Sequence, residues 1–151
     1  MTSDFEILPK LQRAQGRVEV GFICENNVNR LSHLHQSGCL KALIPKNYSS
    51  VPDVVLINTS GGVTGGDKLC IQAVLGHQAQ VRLTTQTAER IYKASHDFGK
   101  ITVELDLNKN SFMDWIPQET ILFDKSAVKR GIKVNLHASS SLFMVESIIL
   151  G

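Results

Sequence analysis

The chain has 151 residues, a length typical of one domain that buries enough surface to fold without disulfide or metal cross-links. Its 16 Lys and Arg residues nearly balance 14 Asp and Glu residues, which leaves a net charge of +2 at pH 7. This balance argues against nucleic acid and anionic membranes as partners, because both select strongly basic surfaces.

The opening residues and the cysteines indicate the compartment. The N-terminal stretch MTSDFEILPK contains acidic residues and no long apolar core, so it does not resemble a secretory signal. No apolar run reaches the roughly 20 residues that a membrane-spanning helix needs. Cys24, Cys39 and Cys70 are odd in number and widely spaced, which is typical of reduced thiols. We therefore predict a cytoplasmic protein that spans no membrane.

Strand patterns dominate the chain. Residues 18–20 (VEV) are a first short alternating stretch, and residues 54–57 (VVLI) are a continuous apolar run typical of a strand buried on both faces. Residues 101–107 (ITVELDL) and 132–136 (IKVNL) alternate apolar and polar side chains, as half-buried strands do. These patterns predict a mainly β fold.

The glycine-rich stretch GGVTGGD, residues 61–67, raises the question of a phosphate site. A nucleotide-binding P-loop needs a lysine directly after its last glycine and then a hydroxyl residue. Here Asp67 occupies the lysine position, Lys68 comes one place late, and the Leu69 that follows it has no hydroxyl. We therefore predict no nucleotide site. The glycines are instead expected to form a double bend with Thr64 and Asp67 at its rim, because glycine adopts positive φ at little cost.

Residues 86–95 interrupt the strand patterns. Ala88, Ile91 and Tyr92 recur at the i, i+3, i+4 spacing of an amphipathic helix. This spacing predicts one short helix.

An internal repeat relates three strand–turn–strand segments. LGHQAQVRLTTQ, LNKNSFMDWIPQ and LHASSSLFMVES begin at Leu75, Leu107 and Leu136, at spacings of 32 and 29 residues. Each segment has a leucine, a polar turn and a returning strand, and near-regular spacing of such units is typical of stacked repeats. The predicted fold is therefore stacked strand–turn–strand units that form a β-sandwich or a β-helix-like core, with one short helix.

The repeat also places polar residues at related positions. Gln86 and Gln118 follow their leucines at the same distance, and Glu89, Glu119 and Glu146 lie close by. If the units stack, these side chains collect along one edge of a sheet. That edge is either a solvated, charged edge that blocks unwanted strand pairing or a polar path lined by carboxylates.

Several long stretches together resemble one known family. INTSGGVTGGDKL, TTQTAERIYKAS, DWIPQETILFD and the pair LQRAQGRVEVGF and LSHLHQSGCLKALIP are similar to the urease accessory protein UreD, called UreH in some bacteria. The resemblance covers essentially the whole chain. Family members are nearly twice as long, so the resemblance implies that residues 1–151 are a single domain from the N-terminal part of a longer protein.

The resemblance implies a function as well. Members of this family are cytoplasmic and mainly β, and they are not enzymes. They join the accessory protein UreF, and through it the GTPase UreG, on apo-urease, and they pass nickel to the urease active site. A tightly bound cofactor is not expected, and Ni²⁺ would bind only in transit.

The family resemblance makes four oxygen-bearing residues candidates for a nickel path. Asp67, Thr64, Glu89 and Glu119 lie in the stretches that carry the resemblance. Ni²⁺ accepts oxygen ligands, and sparse carboxylates would release it more readily than a closed cage. The structural alternatives are a turn cap for Asp67 and edge charges or ion-pair partners for the two glutamates.

Trp115, Tyr92 and Arg90 are candidates for binding a partner. Trp is enriched in interface hot spots, although a single Trp is more often part of the core, and Arg90 has Glu89 as a possible ion-pair partner. The alternative function is a β-rich ligand-binding module for carbohydrate or protein. An enzyme is less favoured, because the chain has no G-x-S-x-G nucleophile motif.

Overall fold

The protein is described by a computed structural model that covers residues 12–151. The start of the chain, including the stretch tested for a secretory signal, lies outside the described residues. All regular secondary structure in residues 12–151 is β-strand, which confirms the predicted mainly β fold class. No helix in this range is long and apolar enough to cross a membrane.

The described strands form three sheets. Sheet 1 contains, in spatial order, β11 (Val128–Leu136), β8 (Gly99–Leu107), β5 (Lys68–Leu75), β1 (Gln15–Glu25) and β2 (Val28–Gly38). Sheet 2 contains β12 (Ser141–Met144), β9 (Phe112–Trp115), β6 (Gln80–Thr85), β4 (Asp53–Asn58) and β3 (Leu40–Leu43). Sheet 3 contains β13 (Ile148–Leu150), β10 (Thr120–Leu122) and β7 (Glu89–Ile91).

The chain visits the three sheets in turn and so forms a stack of coils. Strands β5, β6 and β7 make one coil, β8, β9 and β10 the next, and β11, β12 and β13 the third, with parallel pairing between successive coils. The three repeat leucines are register partners, since Leu75 pairs with Leu107 and Leu107 pairs with Leu136. The β-helix-like form of the prediction is therefore confirmed.

The N-terminal strands close one end of the stack. Strands β1 and β4 continue the parallel pattern against β5 and β6, whereas β2 and β3 pair antiparallel to β1 and β4 at the outer edges. Strand β2 is exposed along almost its whole length. This arrangement directs the inner faces of β1 and β4 toward the same interior as the repeating coils.

The interior is filled by every second residue of the strands, because successive side chains in a strand point to opposite faces. Layers of apolar side chains stack in register from one coil to the next. The in-register pairs between β5 and β8 are Leu69 with Ile101, Ile71 with Val103, Ala73 with Leu105 and Leu75 with Leu107, all of them buried. Each fully buried Leu, Ile or Val contributes about 1.5–3 kcal/mol, so these layers hold the coils together.

The predicted helix over residues 86–95 is wrong. Strand β7 lies within this range, and its Glu89 and Ile91 pair with Thr120 and Leu122 of β10. Ile91 is fully buried, and the Tyr92 N–H donates a hydrogen bond to the Val63 carbonyl at 2.8 Å. Pairing with neighbouring coils satisfies the backbone of this short segment, and this tertiary pairing overrides the local helical spacing.

The glycine-rich loop bends as predicted, but Asp67 does not lie at its rim. Gly62 has φ +142°, and its backbone lies so close to the Tyr92 ring that an added Cβ would be 2.5 Å from it. Asp67 is only 5% exposed. Its Oδ1 accepts a hydrogen bond from the Ala14 N–H at 2.8 Å, and its Oδ2 accepts one from the Thr64 N–H at 2.9 Å.

We expect Asp67→Asn to lower the free energy of unfolding by about 1–2 kcal/mol, because the amide keeps only one acceptor for two backbone donors. Urea denaturation measures this change. Asp124→Asn, at an exposed turn, is the matched control and should leave the denaturation midpoint unchanged. An unchanged midpoint for Asp67→Asn would contradict the capping role.

Candidate functional site

A cavity of about 90 Å³, a size that holds several water molecules, lies next to β7, and its lining includes the exposed residues Gln86, Thr87 and Gln118. Its apolar lining comes from core residues that include Leu56, Ile71 and Ile101. Its polar lining consists of one carboxylate, three hydroxyl residues, two arginines and amide side chains. These polar residues are Asn58, Thr85, Gln86, Thr87, Glu89, Arg90, Gln118, Thr120 and Arg130.

Glu89 is the one carboxylate among the cavity-lining residues. Strand β7 holds it in place, and the Asn58 Nδ2 donates hydrogen bonds to its Oε1 at 3.2 Å and its Oε2 at 3.3 Å. Burial raises the pKa of the Glu89 carboxyl, against the opposing effects of the Asn58 hydrogen bond and the positive charge of Arg130. The charged form of Glu89 is therefore incompletely compensated and favours a proton or a cation as a partner.

Arg130 lines the same cavity but is bound elsewhere. Its Nε donates to Glu146 Oε2 at 3.0 Å, and its Nη2 donates to Glu146 Oε1 at 2.6 Å. The Trp115 Nε1 donates to the same Oε1 at 2.8 Å. No Lys, Arg or His side chain of residues 12–151 forms an ion pair with Glu89.

The environment of Glu146 differs from that of Glu89. Burial alone would raise the pKa of the Glu146 carboxyl, but the hydrogen bonds from Arg130 and Trp115 and the charge of Arg130 outweigh it and hold the pKa below its ordinary value. Glu146 is therefore a compensated anion that fixes Arg130. Glu89, which lines the cavity together with Arg130, has no such ion-pair partner among the described residues.

Of the four predicted nickel-path residues, only Glu89 lines the cavity. Both oxygens of Asp67 accept backbone N–H groups, and the Thr64 hydroxyl donates to the Lys93 carbonyl at 2.9 Å. The carbonyl of Glu119 accepts a hydrogen bond from the Glu89 N–H at 2.9 Å, but the register partner of Glu89 is Thr120. The two glutamates are thus one position out of register, and their side chains do not lie at equivalent places.

No preformed metal cage occurs in the part of the chain that the structure describes, because no three His, Cys, Asp or Glu side chains there are close enough to hold an ion. A pair of possible metal-ligating side chains lies on the outer face of sheet 1, where His33 Nε2 is 3.2 Å from Glu19 Oε2. This group is a two-residue surface contact and has no third ligand.

The predicted partner-binding residues lie in different surroundings. Trp115 is 1% exposed and belongs to the core, so its indole is not free to contact a partner. Tyr92 is 42% exposed, and its ring stacks on Phe123 with centroids 5.4 Å apart. Arg90 is exposed on β7 and forms no ion pair with its neighbour Glu89.

Asn58 and Arg130 line the cavity but were not predicted from the sequence. The signal for Arg130 lies in the alternation of β11, since Val128, Arg130, Ile132 and Val134 are its inward-facing residues. A charged residue in an otherwise apolar inward row is uncommon unless it is paired. Asn58 gave no comparable signal, because it ends an apolar strand where polar residues are ordinary.

Comparisons with known proteins agree on one family. A family model described as "UreD urease accessory protein" matches residues 14–151. The chain is 42% identical over 144 residues to "Urease accessory protein UreD" of Dinoroseobacter shibae, covering 95% of this chain and 51% of that protein. It is 37% identical over 140 residues to the protein of the same name from Rhizobium etli, covering 93% and 51% of the two chains. The chain thus spans about half the length of these curated relatives.

Proposed function

The chain belongs to the UreD family of urease accessory proteins, and on that premise we propose that it is a non-catalytic maturation factor that helps to deliver nickel to urease. The observation that supports this proposal most directly is the incompletely compensated carboxylate of Glu89 in this cavity. A buried anion without an ion-pair partner is unfavourable for folding alone and is common at functional sites.

The donor set of the cavity suits a cation in transit. Glu89 and the oxygens of Gln118 and Thr120 are oxygen ligands of the kind that divalent cations accept, and the cavity has room for retained water. A single carboxylate with neutral oxygens would bind Ni²⁺ weakly. Weak binding allows release, whereas a closed cage of several carboxylates or imidazoles would hold the ion.

The partners that we propose are UreF, UreG through UreF, and apo-urease, in the cytoplasm. The exposed stack of Tyr92 and Phe123 and the neighbouring Arg90 support a protein contact on sheet 3, because aromatic and arginine side chains are enriched at interface centres. No nucleic acid, membrane or tightly bound cofactor is part of this proposal.

Complementation tests the proposed function. Cells that carry the urease structural genes and the other accessory genes, but no UreD-type gene, receive either this chain or the full-length Dinoroseobacter shibae relative. We expect purified urease to contain nickel only when it comes from cells with a UreD-type protein. We also expect this chain to be recovered in a complex with UreF. If the relative restores nickel and this chain restores neither nickel nor the complex, the proposal is wrong for this chain.

A further inference from the structure

A trench crosses the outer face of sheet 1 at right angles to its strands. It consists of two adjoining depressions of about 480 Å³ and about 340 Å³ that share Cys70 and Thr102. Its floor is a register row of small residues, because Thr102 pairs with both Cys70 and Gly131. A Cβ added at Gly131 would meet nothing within 4 Å, so the floor is open at that end.

A ladder of lysines runs beside the floor, and two of its members, Lys68 and Lys100, line the first depression. Lys68 pairs with Lys100, and Lys100 pairs with Lys129, and all three side chains are exposed. Neighbouring strands lie about 4.8 Å apart, and like charges directly opposite each other on a sheet destabilise it. Three stacked lysines therefore carry an energetic cost that the fold does not explain.

The surrounding charges show that the ladder is an exception on this face. Lys133 Nζ lies 2.9 Å from Glu104 Oε1, and Arg17 forms an ion pair with Glu19. None of the three ladder lysines forms an ion pair with a described acidic residue. Lys129 instead contacts Phe98, with its Nζ 3.7 Å from the ring centroid.

We propose that this trench docks an acidic α-helix of a partner protein, with helix carboxylates paired to the lysine ladder. The spacing selects a helix. Acidic residues at i, i+4 and i+7 of a helix recur at intervals of about 5 Å along its axis, close to the interval of about 4.8 Å between strands. In an extended strand, the side chains on one face recur at about 6.8 Å. A strand bound along the trench would therefore fall out of step with the lysines within three residues.

The dimensions and the charge of the chain agree with this occupant. The three neighbouring strands that carry the ladder and the small floor residues, β5, β8 and β11, span about 10 Å, the length of roughly seven helical residues. The small floor residues Cys70, Thr102 and Gly131 allow a helix to approach closely. A net charge of +2 makes nucleic acid the less favoured occupant, because its binding requires many phosphate contacts. The proposal does not depend on nickel delivery.

Peptide binding tests the proposal. The probes are two fluorescent alanine-based helices of about 18 residues with the same composition. One places Glu at i, i+4 and i+7 along a single face, and its isomer distributes Glu around the helix. We expect fluorescence anisotropy at low salt to show at least about tenfold tighter binding of the one-face peptide, because only this peptide matches the ladder.

Variants of the protein identify the surface. We expect Lys68→Glu with Lys100→Glu to weaken binding of the one-face peptide at least about tenfold, and Gly131→Gln to do the same by filling the floor without removing charge. Lys46→Glu with Lys109→Glu, at two exposed lysines outside the strands, is the matched control for charge and should leave binding within about twofold. Thermal unfolding confirms that each variant is folded.

Three results would overturn the proposal. Equal binding of the two peptides would show that only net charge is recognised. Unchanged binding by Gly131→Gln, with the fold intact, would remove the trench from the interaction. Tighter binding of a DNA duplex of equal charge, lost with the two lysine substitutions, would assign the ladder to nucleic acid.

Discussion

Replacing Arg130 by methionine is expected to lower the free energy of unfolding by about 2–3 kcal/mol, because it removes the only cationic partner that Glu146 has among the described residues. Breaking a fully buried ion pair costs about 3–5 kcal/mol, but the side chains here are 21% and 23% exposed, so solvent reduces the loss. Chemical denaturation at neutral pH measures the change.

The pH dependence of this loss identifies its cause. In the native protein the pKa of Glu146 is held low, so its contribution to stability is present above its unfolded pKa and is lost as the pH falls through its folded pKa. Without Arg130, only the Trp115 hydrogen bond still opposes the effect of burial, so the pKa of Glu146 rises. The difference between variant and native protein should therefore be largest near neutral pH and shrink on acidification, as the carboxyl becomes protonated.

Arg82→Met is the matched control. Arg82 forms ion pairs with Asp53 and Asp114, but its side chain is 43% exposed, so its loss should cost at most about 1 kcal/mol. Replacing both Arg130 and Glu146 by apolar residues should recover much of the free energy of unfolding that Arg130→Met loses, because no charge is then left unpaired. Equal losses for Arg82→Met and Arg130→Met would contradict the structural importance of the internal pair.

The coil stack could be predicted because its information is local and repetitive. Residues 101–107 alternate without a break, and the leucines at 75, 107 and 136 mark the same point of three successive coils. Strand alternation and repeat spacing together fix which residues stack. Neither requires knowledge of distant contacts.

The candidate site could be predicted only in part, because its contacts join distant segments. Glu89 was identified, but Asn58, which binds it, lies 31 residues away along the chain. The repeat predicted that Glu89 and Glu119 would correspond. In the structure Glu89 pairs with Thr120, one residue further along, because the connections that precede β7 and β10 differ in length. Sequence spacing cannot fix such an offset, since a shift of one residue reverses the face of a side chain.

Glu89→Gln is expected to reduce the nickel content of matured urease by at least about tenfold, because removing groups that only orient metal ligands already costs 10- to 100-fold. The same substitution should leave stability at neutral pH unchanged or raised. Glutamine keeps an acceptor for the Asn58 Nδ2 while removing a charge that burial disfavours. Opposite effects on delivery and stability are the signature of a residue kept for function.

The sign of the pH effect follows from the raised pKa of Glu89. A carboxyl whose pKa is higher in the folded state stabilises the fold below its unfolded pKa, and this contribution is lost as the pH rises through the folded pKa. The advantage of Glu89→Gln in thermal unfolding should therefore be absent at acidic pH and grow toward neutrality. Glu119→Gln removes a charge outside the cavity lining and should change neither stability nor nickel content.

These two measurements separate the possible roles of Glu89. Lost nickel with a stable protein and an intact complex with UreF supports a cation path through the cavity. Normal nickel content would remove Glu89 from delivery, even if the variant were more stable. A destabilised variant with a lost complex would mean that the Asn58 contact needs the carboxylate, and that the charge in the cavity serves the fold. Because the Asn58 amide donates to both carboxylate oxygens, at 3.2 and 3.3 Å, the glutamine substitution tests that last alternative directly.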